Sequence, residues 1–190
     1  MFRFLLSAGL ASAVLVSPTA VSTQAGKTPP AKAPPGPILV IDTAKGIIEV
    51  ELWPDDAPKS VAHVVDLAKN GFYRGQRVHW VQPGVVQFGD PLSRDLTKAR
   101  EWGSGGSGPR NSNKPLGVAE FSKKAFLRGS VGLAYRVGSK PENADSQLFI
   151  LTAPNPAMMG KYAQIGHVTK GLNFADKIEA QDAIKNVTVR

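Results

Sequence analysis

From Ile38 onward the chain alternates short apolar runs with turn-forming residues. Ile38-Leu39-Val40-Ile41 is one such run. After Lys45-Gly46, the apolar Ile48, Val50 and Leu52 alternate with Glu49 and Glu51. A period of two marks a half-buried strand, so the pair of runs predicts a β-hairpin. Pro54-Asp55-Asp56-Ala57-Pro58 then predicts a helix start, with an aspartate as N-cap and Pro58 in the first turn. Val61, Val64, Val65 and Ala68 recur at helical spacing and share one face. Gly71 is the expected stop. His63 falls off that face, which predicts an exposed and silent side chain.

The next stretch, Arg77 to Asp90, places two short apolar runs around Pro83-Gly84 and closes on Gly89-Asp90-Pro91, a strand–turn–strand pattern. A glycine- and serine-rich segment, Trp102 to Pro109, follows and reads as a long surface loop; no Gly-Lys-Ser/Thr accompanies it to make a phosphate cradle. Further strands are expected over Gly129–Tyr135, Ser146–Thr152, Tyr162–Val168 and Ile184–Val189, with a short helix over Leu172–Ile178. About eight short strands and two helices suggest an all-β sandwich or closed barrel.

The N-terminus has a different character. Met1-Phe2-Arg3 carries one positive charge, Phe4 to Val16 is apolar or small, and Thr23-Gln24-Ala25 has small residues where a signal peptidase cuts. This predicts a secretory signal peptide over residues 1–25 and an exported protein, periplasmic or secreted. Five prolines in the twelve residues from Gly26 to Pro37 predict a linker over 26–37. The folded domain is then 38–190. No later segment is apolar enough to cross a membrane.

Composition excludes more than it proposes. The absence of cysteine rules out disulfides, thiolate metal sites and a cysteine nucleophile. The net charge of +8 comes from scattered lysines and arginines, not a dense basic run with interleaved aromatics, so specific nucleic-acid binding is not expected. His63, His79 and His167 lack metal-ligand spacing, and neither metal nor cofactor is expected. There is no Gly-x-Ser-x-Gly elbow for a hydrolase. What remains is apolar and amide side chains on strand edges: Trp80, Gln87, Gln147, Phe149, Met158 and Tyr162. Such a set suits a groove for an extended peptide.

The ordered motifs carry a resemblance. Pro54-x-x-Ala57-Pro58, Gly71-Phe72-Tyr73-x-Gly75, His79-x-Val81, Pro83-Gly84, Gln87, Gly89-Asp90-Pro91, Gly103-x-Gly105-Gly106, Glu120-Phe121, Arg128-Gly129, Asp145-Ser146-Gln147-Leu148-Phe149-Ile150 and Ile165-Gly166-x-Val168 occur in this sequence. In that order they resemble the cyclophilins, a family of peptidyl-prolyl cis–trans isomerases, from about Ile38 to Val189. The resemblance implies an eight-stranded closed antiparallel barrel capped by two helices. It also implies catalysed rotation about X-Pro bonds, with proline-containing peptides and unfolded or exported proteins as partners, and a monomer.

Carried over residue by residue, the resemblance makes Gln87 and the residue at position 80 the catalytic positions. Substrate would be held by Val85 or Val86, Ala134, Tyr135, Gln147, Phe149, Ala157, Met158 and Tyr162. Several of these depart from the family pattern. Ala157 replaces a tryptophan, Met158 a leucine and Tyr162 a histidine. The family reads Phe-His-Arg where this chain reads Val78-His79-Trp80, so its arginine is absent. The segment from Pro83 to Asp90 is one residue shorter than usual. Arg77 and Arg136 are the neighbouring guanidinium candidates. The resulting expectation is an isomerase of altered or reduced activity; the alternative is a non-catalytic proline-peptide-binding or chaperone module of the cell envelope.

Overall fold

The structure, a computed structural model, describes residues 36–190. The expected signal peptide and all but the last two residues of the expected linker lie outside them. Those two residues, Gly36 and Pro37, run against the sheet, where the Leu52 N–H donates to the Pro37 carbonyl at 2.9 Å.

The expected hairpin forms from β1 (Ile38–Thr43) and β2 (Ile47–Leu52), with Leu39, Ile41, Ile48, Val50 and Leu52 fully buried. Helix α1 covers Pro58–Lys69 and buries Val61, Val64 and Ala68 as expected; Val65, expected on the same face, is only half-buried, and Leu67, not singled out by the spacing, is buried. Its N-terminus differs from expectation. Ala57 is the N-cap residue, and no aspartate side chain caps the helix. Instead the Glu120 carboxylate accepts from the Lys59 and Ser60 N–H groups at 3.0 and 2.8 Å. A carboxylate there satisfies two orphan donors and complements the helix dipole from outside the local sequence.

Seven more strands complete a strongly curled antiparallel sheet: β3 (Gln76–Arg77), β4 (Trp80–Gln82), β5 (Val85–Phe88), β6 (Ser130–Leu133), β7 (Leu148–Leu151), β8 (Gln164–Lys170) and β9 (Ala183–Val189). The order across the sheet is β3-β9-β1-β2-β8-β6-β7-β5-β4. Helix α2 is a single turn, Leu172–Ala175, shorter than expected. Nine strands replace the expected eight because the segment after Gln76 changes partner midway. Val78 still bonds to the β9 side, through Asp182 and Gln181, whereas the His79 N–H already donates to Gln87 on β5. One continuous stretch therefore supplies both end strands of the sheet, with Val78 and His79 between them.

The two faces of β5 and β7 explain where a site can form. Val86, Phe88, Leu148 and Ile150 point into the main core with Tyr73, Val131 and Leu133. Phe149 and Leu151 point the other way and form a second cluster with Phe126 and Ala134, against which Val85, Met158 and Tyr162 pack. This is why Leu148-Phe149-Ile150-Leu151 reads as a continuous apolar run, not an alternating one: both faces are covered. No helix among the described residues is long and apolar enough to cross a membrane.

Candidate active site

The second cluster is the floor of a groove of about 810 Å³ on the outer face of the sheet. Of the expected site residues, Trp80, Val85, Gln87, Ala134, Tyr135, Gln147, Phe149, Met158 and Tyr162 all line it. Two do not. Val86 is 2% exposed and faces the main core, as strand alternation requires once Val85 and Gln87 face outward. Ala157 is exposed on the turn Pro156–Met158 but does not reach the cavity lining; its neighbour Met158 does.

Register fixes the central pair. β4 and β5 run antiparallel with Trp80 opposite Gln87, and β5 pairs with β7 so that Gln87 stands opposite Phe149. Trp80 remains 42% exposed, a large indole at the rim. At one end of the groove Tyr135 and Tyr162 stack at 4.8 Å, and Tyr162 meets Phe149 edge-on at 5.5 Å. These contacts hold aromatic walls around an apolar floor.

The polar side of the groove is built by the glycine-rich loop, which is more than the surface connection expected from its composition. Two buried aspartates pin it. Asp90 Oδ2 accepts from the Gly103 and Gly105 N–H groups at 2.5 and 3.0 Å, and its Oδ1 accepts from Leu92 at 2.8 Å. Asp145 Oδ2 accepts from the Ser107 and Lys114 N–H groups at 2.7 and 2.8 Å. A Cβ on Gly105 or Gly106 would lie 2.2 or 2.3 Å from one of these carboxylate oxygens, so the glycines are set by close approach.

The loop in turn orients the amides. Gln147 Nε2 donates to the Gly103 and Gly105 carbonyls at 3.0 and 2.8 Å, so both of its N–H groups are used. Its Oε1 must then face Gln87, whose Nε2 donates to it at 2.9 Å. The chain of bonds fixes which way each amide points and leaves the second N–H of Gln87 without a partner among the described residues, available to serve the groove.

Sequence reasoning passed over several lining residues. His79, singled out only for lacking metal-ligand spacing, lines the groove beside Gly103 and Gln147. Burial pulls its pKa below the ordinary histidine value, against the opposing pull of the Asp90 carboxylate, so the imidazole is neutral at physiological pH. Arg100, Trp102 and the fully exposed Val137 also line it, in connections where no strand or helix period marks them, whereas Arg136, one of the two guanidinium candidates, lines it as well. Arg77, by contrast, turns away: its Nη1 donates to the Gln181 carbonyl at 3.0 Å.

The match to known proteins agrees with this geometry. The sequence profile of the cyclophilin type peptidyl-prolyl cis-trans isomerase/CLD family matches residues 38–190. A probable peptidyl-prolyl cis-trans isomerase of Brucella suis is 37% identical over 153 residues, covering 80% of this chain and 76% of that protein. Peptidyl-prolyl cis-trans isomerase B of Bacillus subtilis is 34% identical over 143 residues, covering 75% and 90%. Among solved structures, a Cryptosporidium parvum cyclophilin type peptidyl-prolyl cis-trans isomerase superposes with a TM-score of 0.66 at 21% identity, covering 80% of this chain and 96% of its own. With profile, relatives and fold in agreement, the chain belongs to the cyclophilin-type peptidyl-prolyl cis–trans isomerases.

Proposed function

We propose that this protein binds X-Pro segments of exported proteins in the outer-face groove and isomerises them with reduced turnover. The observation that carries the reading is the pairing of Trp80 with Gln87 inside a groove otherwise furnished for proline. A Cryptosporidium parvum cyclophilin of the same fold was crystallised in the presence of the dipeptide Ala-Pro, which supports a short proline segment as the ligand class.

The barrier to rotation about a peptide bond is about 18–20 kcal/mol. No covalent step is needed. Val85, Phe149, Met158 and Tyr162 hold the proline ring while the bond twists, and the apolar floor excludes water from the less polar twisted state. A donor near the prolyl nitrogen weakens amide resonance further. In this chain the free N–H of Gln87 serves that role, and the indole of Trp80, with a single N–H and no charge, adds apolar surface for the peptide instead. Modest turnover follows.

Gln87→Ala removes that donor and is expected to lower kcat/KM for an Ala-Pro peptide about tenfold or more in a protease-free assay. Val85, Phe149 and Tyr162 are untouched, so peptide affinity should change far less. Full activity in this variant would place the chemistry elsewhere. Undetectable wild-type catalysis together with measurable proline-peptide binding would favour the non-catalytic binding or chaperone module.

A further inference from the structure

His63, off the apolar face of α1 and expected to be silent, is neither exposed nor unpartnered. Its Nε2 lies 2.9 Å from Asp145 Oδ1, and its side chain is 17% exposed against 2% for the aspartate. Three further donors converge on the same carboxylate: the Ser107 hydroxyl at 2.5 Å on Oδ1, and the Ser107 and Lys114 N–H groups on Oδ2. Burial raises the Asp145 pKa, but the bonds from His63, Ser107 and Lys114 outweigh it and hold the value below the usual carboxylate range. The carboxylate is therefore ionised, and His63 must present Nε2–H as a donor.

Asp145 occupies a junction. It stands two residues before Gln147, and it also grips the loop whose Gly103 and Gly105 carbonyls fix the Gln147 amide. Gln147 then fixes Gln87. We infer that His63 is a positioning residue for the isomerase reaction: through Asp145 it ties helix α1 to the glycine loop and so sets the amide orientation of Gln147 and Gln87.

The inference rests on the proposed function for its kinetic consequence, but not for its structural one. A misplacement of catalytic groups by about 1 Å can cost roughly a hundredfold, and loss of one of four anchors should cost less. His63→Ala is expected to lower kcat about tenfold with KM changed by less than about twofold. His63→Gln, which returns an N–H donor at similar reach, should restore most of the loss. In a Gln147→Ala background, where the relay is already cut, His63→Ala should cost less than about twofold. An equal loss in both backgrounds, or no loss at all, would overturn the inference.

A second readout needs no activity. The side-chain amide NMR signals of Gln87 and Gln147 should shift or broaden in His63→Ala and return in His63→Gln. If the wild type proves inactive, these signals still decide the matter: unchanged signals defeat the role of His63, and changed signals uphold it. Should His63→Ala fail to fold, Ser107→Ala removes another donor from the same carboxylate and should move the same two signals. Signals unmoved in that variant would likewise overturn the inference.

Discussion

Trp80→Arg is expected to raise kcat at least about tenfold, and it is the substitution with the largest predicted gain. Trp80 lies directly opposite Gln87 in the β4–β5 register, where cross-strand side chains meet at about 5 Å. It is 42% exposed, so an arginine can replace it without leaving a buried void or an unpaired buried charge. The new guanidinium would stand beside Gln87 and over the apolar floor, in position to donate to the prolyl nitrogen as the amide loses resonance. One well-placed donor in a water-poor site is worth about 2.7–4 kcal/mol of transition-state stabilisation in acyl transfer, or two to three decades. Tenfold is a lower bound that allows for the exposed rim. The protease-free isomerisation assay measures it, with kcat and KM separated. An unchanged kcat would mean that the groove is remodelled beyond position 80.

The largest predicted loss comes from Asp90→Ala. Asp90 is fully buried and receives the N–H groups of Leu92, Gly103 and Gly105. Truncation removes all three acceptor contacts at once. A buried donor left without a partner costs about 1–3 kcal/mol, and some recovery by entering water is expected, so a net destabilisation of about 2–4 kcal/mol follows. For a protein of this size that lowers Tm by roughly 4–16 °C. Activity should fall as well, because the Gly103 and Gly105 carbonyls that hold Gln147 lose their support. Thermal unfolding and the isomerisation assay together check both parts. A stable variant with wild-type activity would show that the loop holds its shape without the carboxylate.

Part of this architecture was legible in the sequence and part was not. The β1–β2 hairpin and the buried face of α1 were legible because period-two and helical patterns are local. The cap of α1 was not, since Glu120 lies 61 and 60 residues beyond the N–H groups it serves. His63 misled for a related reason: lying off the apolar face says nothing about an aspartate that the fold brings back from 82 residues away. Most of the groove followed from the ordered motifs. The choice between Val85 and Val86 did not, because it depends on which side of β5 faces the core, and pairing with β7 decides that. The ninth strand was hidden because a change of partner at Val78-His79 leaves no mark in hydrophobic pattern. The glycine loop looked like a connection because its function lies in backbone groups, which composition does not display.

Exchange NMR on an Ala-Pro peptide, with the unmodified protein added in catalytic amount, shows whether this groove turns over X-Pro bonds. Uncatalysed exchange takes about tens to hundreds of seconds, so the free peptide shows no cis–trans cross-peaks at sub-second mixing times. The protein is predicted to produce those cross-peaks and to lose most of their intensity in Gln87→Ala. Peptide signals that broaden on binding, with no cross-peaks even at stoichiometric protein, would contradict catalysis and leave a proline-binding module.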